Sequence, residues 1–245
     1  MRSLLTAPAD EQRLAEALNS GADAVVIDLA GVAPAEKEAA RASAARFLEA
    51  TRGSGGAPKL IVRLSPLDSG EADLDLDAVM AHAPDAILLP GSLGAASVEQ
   101  LSAKLAVREA DFALEDGATR IIAVADTARA LLGMGSYRGA SARLMGIAWS
   151  AEALRSDIGA ETDRDDHGGY GGPYRLARDL TLLAAASAGV AAIDTAVTGH
   201  HDQAGLRAEA LAARRDGFAG KMAIDAAQTA IINDVFGRER PLVER

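Results

Sequence analysis

The chain contains no cysteine, which removes disulfides, thiolate metal sites and cysteine nucleophiles together. Aromatic residues are scarce, with one Trp, three Tyr and four Phe among 245 residues. A core here must be built from Leu, Ile, Val and a great deal of Ala, which suits tightly packed helices. No stretch approaches the ~18 uninterrupted apolar residues of a membrane helix. The opening Met1-Arg2-Ser3-Leu4-Leu5-Thr6-Ala7-Pro8 has too short an apolar run for a secretory signal, and charge resumes at Asp10. An excess of positive charge is also missing. The formal net charge is −10 and the pI about 4.9, a surface that repels phosphate backbones and argues against nucleic acid as a partner. The expectation is a full-length cytoplasmic protein with neither membrane nor nucleic acid as partner.

What is present fits a globular enzyme-sized domain. Apolar residues make up 49% and charged residues 24%, which excludes disorder. Eight short β-rich runs recur: Ser3–Ala7, Ala24–Leu29, Leu60–Ser65, Ala86–Pro90, Arg120–Asp126, Leu144–Ser150, Ala191–Val197 and Lys221–Asp225. Several are apolar without alternation, as strands covered on both faces are in a parallel sheet under helices. Between them lie helical patterns. One opens at Pro34 and runs to about Ala50; another opens at Gly172-Pro173 and stops at Gly189; a third covers Ala204–Arg215 before Gly217. Strand–helix alternation fits a barrel or an open doubly wound sheet, and eight repeats at this length favour a single (β/α)8 TIM barrel. The barrel is expected over residues 1–236, with 237–245 as a polar tail. Ser54-Gly55-Gly56 and Asp163–Gly172 read as loops, so no domain boundary is expected.

In such a barrel chemistry gathers at the C-terminal ends of the strands. The residues there are Thr6, Asp28, Arg63, Pro90, Asp126, Ser150 with Glu152, Asp194 and Asp225. Converging carboxylates with one arginine suit a divalent cation holding an anionic substrate. Each Asp also has a structural reading. Asp126 is placed to cap the next helix, and Asp28 and Asp194 to accept loop amides.

These residues resemble a known family. Arg2-Ser3-Leu4-Leu5 and Ala24–Leu29 resemble its first two strands. Val62-Arg63-Leu64-Ser65-Pro66 is similar to its Arg-(Ile/Val)-Asn-Pro segment. Ala191-Ala192-Ile193-Asp194-Thr195, Asp202 with Gly205-Leu206, Gly217-Phe218-Ala219-Gly220-Lys221 and Ile224-Asp225-Ala226-Ala227-Gln228, then Asn233 and Phe236, follow its C-terminal landmarks in order. On this collinearity the chain is identified with the citrate lyase beta-subunit-like group of the HpcH/HpaI aldolase superfamily. The resemblance implies a TIM barrel, usually homotrimeric, that binds Mg2+ and cleaves or forms a C–C bond between an acyl-CoA and a 2-oxo acid. It implies Arg63 as the catalytic and substrate-binding arginine. Asp126, in Ala125-Asp126-Thr127, stands where the family has a metal-binding Glu.

The chain departs from that pattern in several places. The second metal ligand of the family belongs to a Phe-Gly-x-x-Asp-Leu motif; here the stretch is Trp149-Ser150-Ala151-Glu152-Ala153-Leu154, with Ala153 at the ligand position. The Asp-Leu-Glu-Asp turn is Asp28-Leu29-Ala30-Gly31, a lysine after the fourth strand becomes Gly91, and the Ile-His-Pro histidine becomes Asp225. Loss of acids weakens a Mg2+ site, because hard cations need anionic oxygen. Either Glu152 reaches back to join Asp126 as a metal ligand, or Asp225 does so in its place, with Asp28 and Asp225 otherwise as substrate-binding groups; or Glu152 is simply solvated and the metal site is lost. Trp149 either fills space vacated by metal or substrate or is a packed barrel residue.

Two further features have two readings each. In His200-His201-Asp202 one His is an acid–base candidate, and the pair otherwise reads as surface loop. His167–Pro173 is a flexible loop or a lid, with helix amides that suit an anion. The resulting expectation is a divergent carbon–carbon lyase acting on a small 2-oxo or hydroxy acid or its CoA thioester. The alternative is an inactive paralogue that keeps the barrel for binding or assembly. A phosphate-binding barrel enzyme is disfavoured, because no Gly-rich phosphate loop follows the seventh or eighth strand cleanly.

Overall fold

The computed structural model describes residues 1–53, 56–198 and 203–237. Eight strands are β1 Ser3–Pro8, β2 Ala24–Asp28, β3 Lys59–Arg63, β4 Ala86–Leu89, β5 Arg120–Ala125, β6 Leu144–Trp149, β7 Ala191–Asp194 and β8 Gly220–Ala223. Helices alternate with them: α1 Glu11–Leu18, α2 Lys37–Thr51, α3 Ala72–Val79, α4 Ala95–Asp111, α5 Ala128–Gly133, α6 Ala151–Ile158, α7 Gly172–Ala188, α8 Gln203–Asp216 and α9 Ala226–Gly237. Every strand pairs in parallel with its neighbour, and β8 returns to β1 to close the barrel. The TIM barrel read from the apolar runs is therefore the fold, as one domain. The tail 238–245, Ser54-Gly55 and His200-His201-Asp202 lie outside the described residues.

Two-sided burial explains the unbroken apolar strands. Leu4, Ala24, Val26, Ile61, Ala86, Leu88, Ile122, Val124, Ala148 and Ile193 fill the lumen. Their strand neighbours, such as Leu5, Val25, Ile27, Val62 and Ile87, pack outward against the helices. Burying an aliphatic side chain of this kind contributes about 1.5–3 kcal/mol. Helix ends follow their local chemistry. Asp10 caps α1 by accepting from Arg13 N, and Gly189, in the left-handed region, ends α7.

Closure between β8 and β1 is tight enough to dictate a residue. A Cβ on Gly220 would stand 2.5 Å from the Met1 carbonyl oxygen and 2.7 Å from that of Arg2, so only glycine fits the seam. Across it Ser3 donates to Asn233 of α9, and Asn233 donates to the Gly21 carbonyl. Asn233 thus belongs to the closure of the barrel.

At the N-terminal face a buried ion pair ties α4 to the loops before β5 and β6. Arg143 meets Glu109 through two bonds of 2.7 and 2.6 Å, and the amides of Gly117 and Thr119 add two more donors at 2.9 Å. Burial alone would raise the Glu109 carboxyl, but Arg143 and the two amides hold it below the usual carboxylate range. A carboxyl held low contributes stability that is complete above its unfolded pKa of ~4.3 and disappears as the pH falls. Arg143→Met leaves Glu109 buried without its cation, and we expect a loss of about 3–5 kcal/mol in urea denaturation at neutral pH. The gap between variant and wild type should narrow on acidification below the carboxylate range. A gap that widened instead would show that the pair does not stabilise the fold.

Candidate functional site at the barrel mouth

The lumen is apolar, so polar groups that point into the barrel can meet only at its mouth. There a cavity of about 360 Å³ is lined by Thr6, Arg63, Leu88, Val124, Asp126, Ala148, Trp149, Ser150, Glu152, Ala153, Thr195, Ala196, Thr198, Met222 and Ile224. Arg63 and Asp126, which the sequence places on different strands, therefore open into one space. A volume near the lower end for ligand sites suits a small molecule.

Arg63 ends β3 and is the cation among these lining residues. Its Nη1 donates to Asp28 Oδ2 at 3.0 Å, and its side chain stays 32% exposed. Asp28 ends β2 and bends over its own loop, accepting from Gly31 N at 3.1 Å through Oδ1. Gly31 is needed for this. A Cβ there would lie 2.8 Å from Asp28 Oδ2. The loops carrying both residues are pinned from below. The buried Lys37 donates to the Leu29 carbonyl and to Ser65 Oγ, and Asp75 accepts from Ser65 N at 2.8 Å while bonding Arg41.

Asp126 follows β5 and is 7% exposed. Its Oδ1 accepts from Gly91 N at 2.9 Å, an amide aimed by the left-handed conformation of Gly91, whose φ is +61°. Burial pushes the Asp126 carboxyl up, against the opposing pull of Gly91 N–H and Arg63. The helix cap expected of Asp126 is instead made by Thr127, which accepts from Ala130 N. Hydroxyls of the lining are partly spent as well, Ser150 on Ala153 N and Thr195 on Ala151 N.

Other expected members fall elsewhere. Asp225 caps α9 through Gln228 N at 2.9 Å and lines two neighbouring cavities, one with Arg164, Glu209 and Gln228. Asp194 does not face the mouth. It lies in the layer between sheet and helices, accepting from Trp149 Nε1 at 2.9 Å and from the fully buried Lys221 at 2.7 Å. Trp149 is accordingly a packed barrel residue whose ring meets Tyr170 edge-on. Sequence reasoning missed Thr195, Thr198, Met222 and the Gly91 amide, which face the cavity or its acid. Only the left-handed tendency of glycine after a strand hinted at the last.

The two expected metal ligands, Asp126 and Glu152, both line this cavity. Glu152 lines the cavity from the exposed first turn of α6, while the charges of Arg63 and Asp157 pull the Asp126 carboxyl down and up respectively. Asp157 is itself occupied by Ala128 N at 2.7 Å. Among the described residues no group of three or more His, Asp or Glu side chains is close enough to hold a metal.

Comparison with known proteins decides the lineage. The profile of HpcH/HpaI aldolase/citrate lyase matches residues 2–226. The chain belongs to this family. Within the HpcH/HpaI family it is 31% identical to citrate lyase subunit beta of Leuconostoc mesenteroides subsp. cremoris, over 88% of this chain and 70% of that one. It is 33% identical to a (3S)-malyl-CoA thioesterase of Cereibacter sphaeroides, over 96% and 76%. The Mycobacterium tuberculosis citrate lyase beta subunit complexed with oxaloacetate and magnesium superposes with a TM-score of 0.80 at 29% identity, covering 96% of both chains. A second structure from that organism, with magnesium, acetoacetate and coenzyme A, gives 0.80 at 29% identity over 98% of this chain and 82% of that one.

One local change isolates the Asp28–Arg63 contact. Gly31→Ala should fold with a stability change of no more than about 1 kcal/mol, because the added methyl meets only the end of a side chain. A crystal structure of the variant should show Asp28 swung away from Arg63. An unchanged 3.0 Å contact would refute the steric argument.

Proposed function

We propose that this protein is a divergent carbon–carbon lyase of its family, acting on a small 2-oxo or hydroxy acid or on its CoA thioester. The observation that supports it is the opening of Arg63 and Asp126 into one small cavity at the barrel mouth. Arg63 has guanidinium donors beyond the one given to Asp28, and a planar fork of this kind matches a carboxylate. In this reading it anchors the substrate acid and offsets the charge that develops on the enolate oxygen when the C–C bond breaks. Asp28 sets the direction of the fork. Asp126, held by the Gly91 amide, faces the same cavity from the end of β5, two strands along from Arg63. Leu88, Val124, Ala148 and Met222 make the floor apolar and keep water off the reacting carbons. The cavity holds a small acid, so the long arm of a thioester would run outward past Thr198 or Thr6.

Relatives carrying the names citrate lyase subunit beta and malyl-CoA thioesterase support this substrate class. The second reading, a barrel kept for binding alone, is favoured by one feature, the methyl of Ala153 on the cavity wall. Cleavage and hydrolysis of malyl-CoA and citramalyl-CoA separate the two. Turnover of either ester that is lost in Arg63→Ala supports the lyase-family enzyme, and binding without turnover supports the alternative. In both readings Arg63→Ala should weaken oxaloacetate binding by about tenfold or more in calorimetry. An unchanged affinity in that variant would remove Arg63, and the proposal, from consideration.

A further inference from the structure

Two consecutive residues at the end of β7 hold the segment that follows β6. Their side chains take opposite faces of the sheet, as neighbours in an extended chain do. Asp194 is on the helix side, where its Oδ1 accepts from Trp149 Nε1 at 2.9 Å. Thr195 lines the mouth, and its hydroxyl accepts from Ala151 N at 3.1 Å. The backbone register between the two strands ends at Ala148 and Ile193, so these side-chain bonds carry the attachment beyond it. The segment gripped in this way opens α6 and supplies Ser150, Glu152 and Ala153 to the cavity.

The grip on the helix side is rigid. Lys221 is fully buried and donates to Asp194 Oδ2 at 2.7 Å, which fixes the carboxylate and leaves Oδ1 for the indole. A charged acceptor makes this a stronger bond than a neutral one would be. The indole has a single N–H to give, and Tyr170 packs edge-on against the same ring at 5.2 Å. Lys221 thus fixes Asp194, Asp194 fixes Trp149, and Ser150 follows Trp149 directly. An ion pair that served the scaffold alone would need neither the indole nor the Thr195 hydroxyl.

We infer that Asp194 and Thr195 are positioning residues for the acid site. They set where the segment Ser150–Ala153 stands relative to Arg63 and Asp126, and so make the mouth selective for small acids over their branched homologues. The inference rests on the acid-binding reading above and adds to it the device that decides which acid fits. It holds whether Arg63 balances the ligand's charge alone or together with a metal ion, because the segment lines the 360 Å³ cavity in both cases.

The test measures pyruvate and 2-oxoisovalerate affinity by calorimetry in buffer containing Mg2+. Wild type is compared with Trp149→Phe, Asp194→Leu/Lys221→Met, Thr195→Val and Thr195→Ser, with folding verified by circular dichroism. The double variant exchanges the buried ion pair for apolar side chains, a change that protein interiors tolerate. Wild type should prefer pyruvate by about tenfold or more. The preference should fall by about threefold or more in the first three variants and persist in Thr195→Ser, which keeps the hydroxyl. Arg143→Met loosens the opposite face of the barrel and should retain the wild-type preference, which separates positioning from stability. In wild type, saturating pyruvate should also shift the indole N–H resonance of Trp149, the only tryptophan in the chain. A wild type without the preference, an unmoved indole resonance, or folded variants that keep the wild-type ratio overturns the inference and leaves the acid-binding reading intact. A ratio that falls equally in Arg143→Met does the same. A wild type that binds neither acid overturns both.

Discussion

Closure of the parallel sheet governs where polar groups in this protein can go. Each strand is covered by lumen side chains on one face and by helices on the other, and both faces are dry. A charge inside either layer must be fully paired, because an unpaired buried ion costs several kcal/mol. Only the strand ends escape this rule, where the sheet meets loops and water. The seam at Gly220, where a single methyl would collide with the two residues leading into the first strand, is the point at which closure is secured. If the seam opened, the mouth would cease to exist as a cavity.

The same reasoning separates structural from functional charges. Lys221 and Asp194 are buried outside the sheet, and Asp194 is further bonded by Trp149 Nε1. Arg143 and Glu109 are buried on the opposite face with two amides completing the carboxylate. Every strong donor and acceptor in these groups has a partner. Arg63 differs, since it meets Asp28 and keeps a third of its side chain open. Asp126 differs too, because it is buried while one of its oxygens takes the Gly91 hydrogen bond and the other stays clear of it. Spare bonding capacity facing a cavity distinguishes a site from an ion pair of the scaffold.

This distinction also sets what is legible in the sequence. The unbroken apolar runs, Ala24–Ile27 and Ile121–Val124 among them, announce strands buried on both faces, and their number points to the barrel. The same lack of alternation conceals which face each residue takes. Asp194 therefore reads as a residue of the mouth, although register turns it outward beside Lys221. Asp126 and Thr127 are adjacent and both able to cap a helix, so the sequence cannot apportion the cap between them. Arg63 is legible because a guanidinium at the end of an apolar strand has no place in a dry layer and must face the mouth. The Gly91 amide is not, since a backbone donor leaves no mark beyond the glycine that orients it.

The substitutions that set this chain apart from its family's pattern support one another. Ala30, Gly31 and Ala153 stand at positions where an acid is expected, so the mouth loses negative charge, and Gly91 stands where a lysine is expected. Gly31 does more than delete an acid. Its missing Cβ is what lets Asp28 fold over and reach Arg63. The guanidinium of Arg63 is thereby shared between Asp28, bonded at 3.0 Å, and the buried carboxylate of Asp126, which it pulls down against the effect of burial.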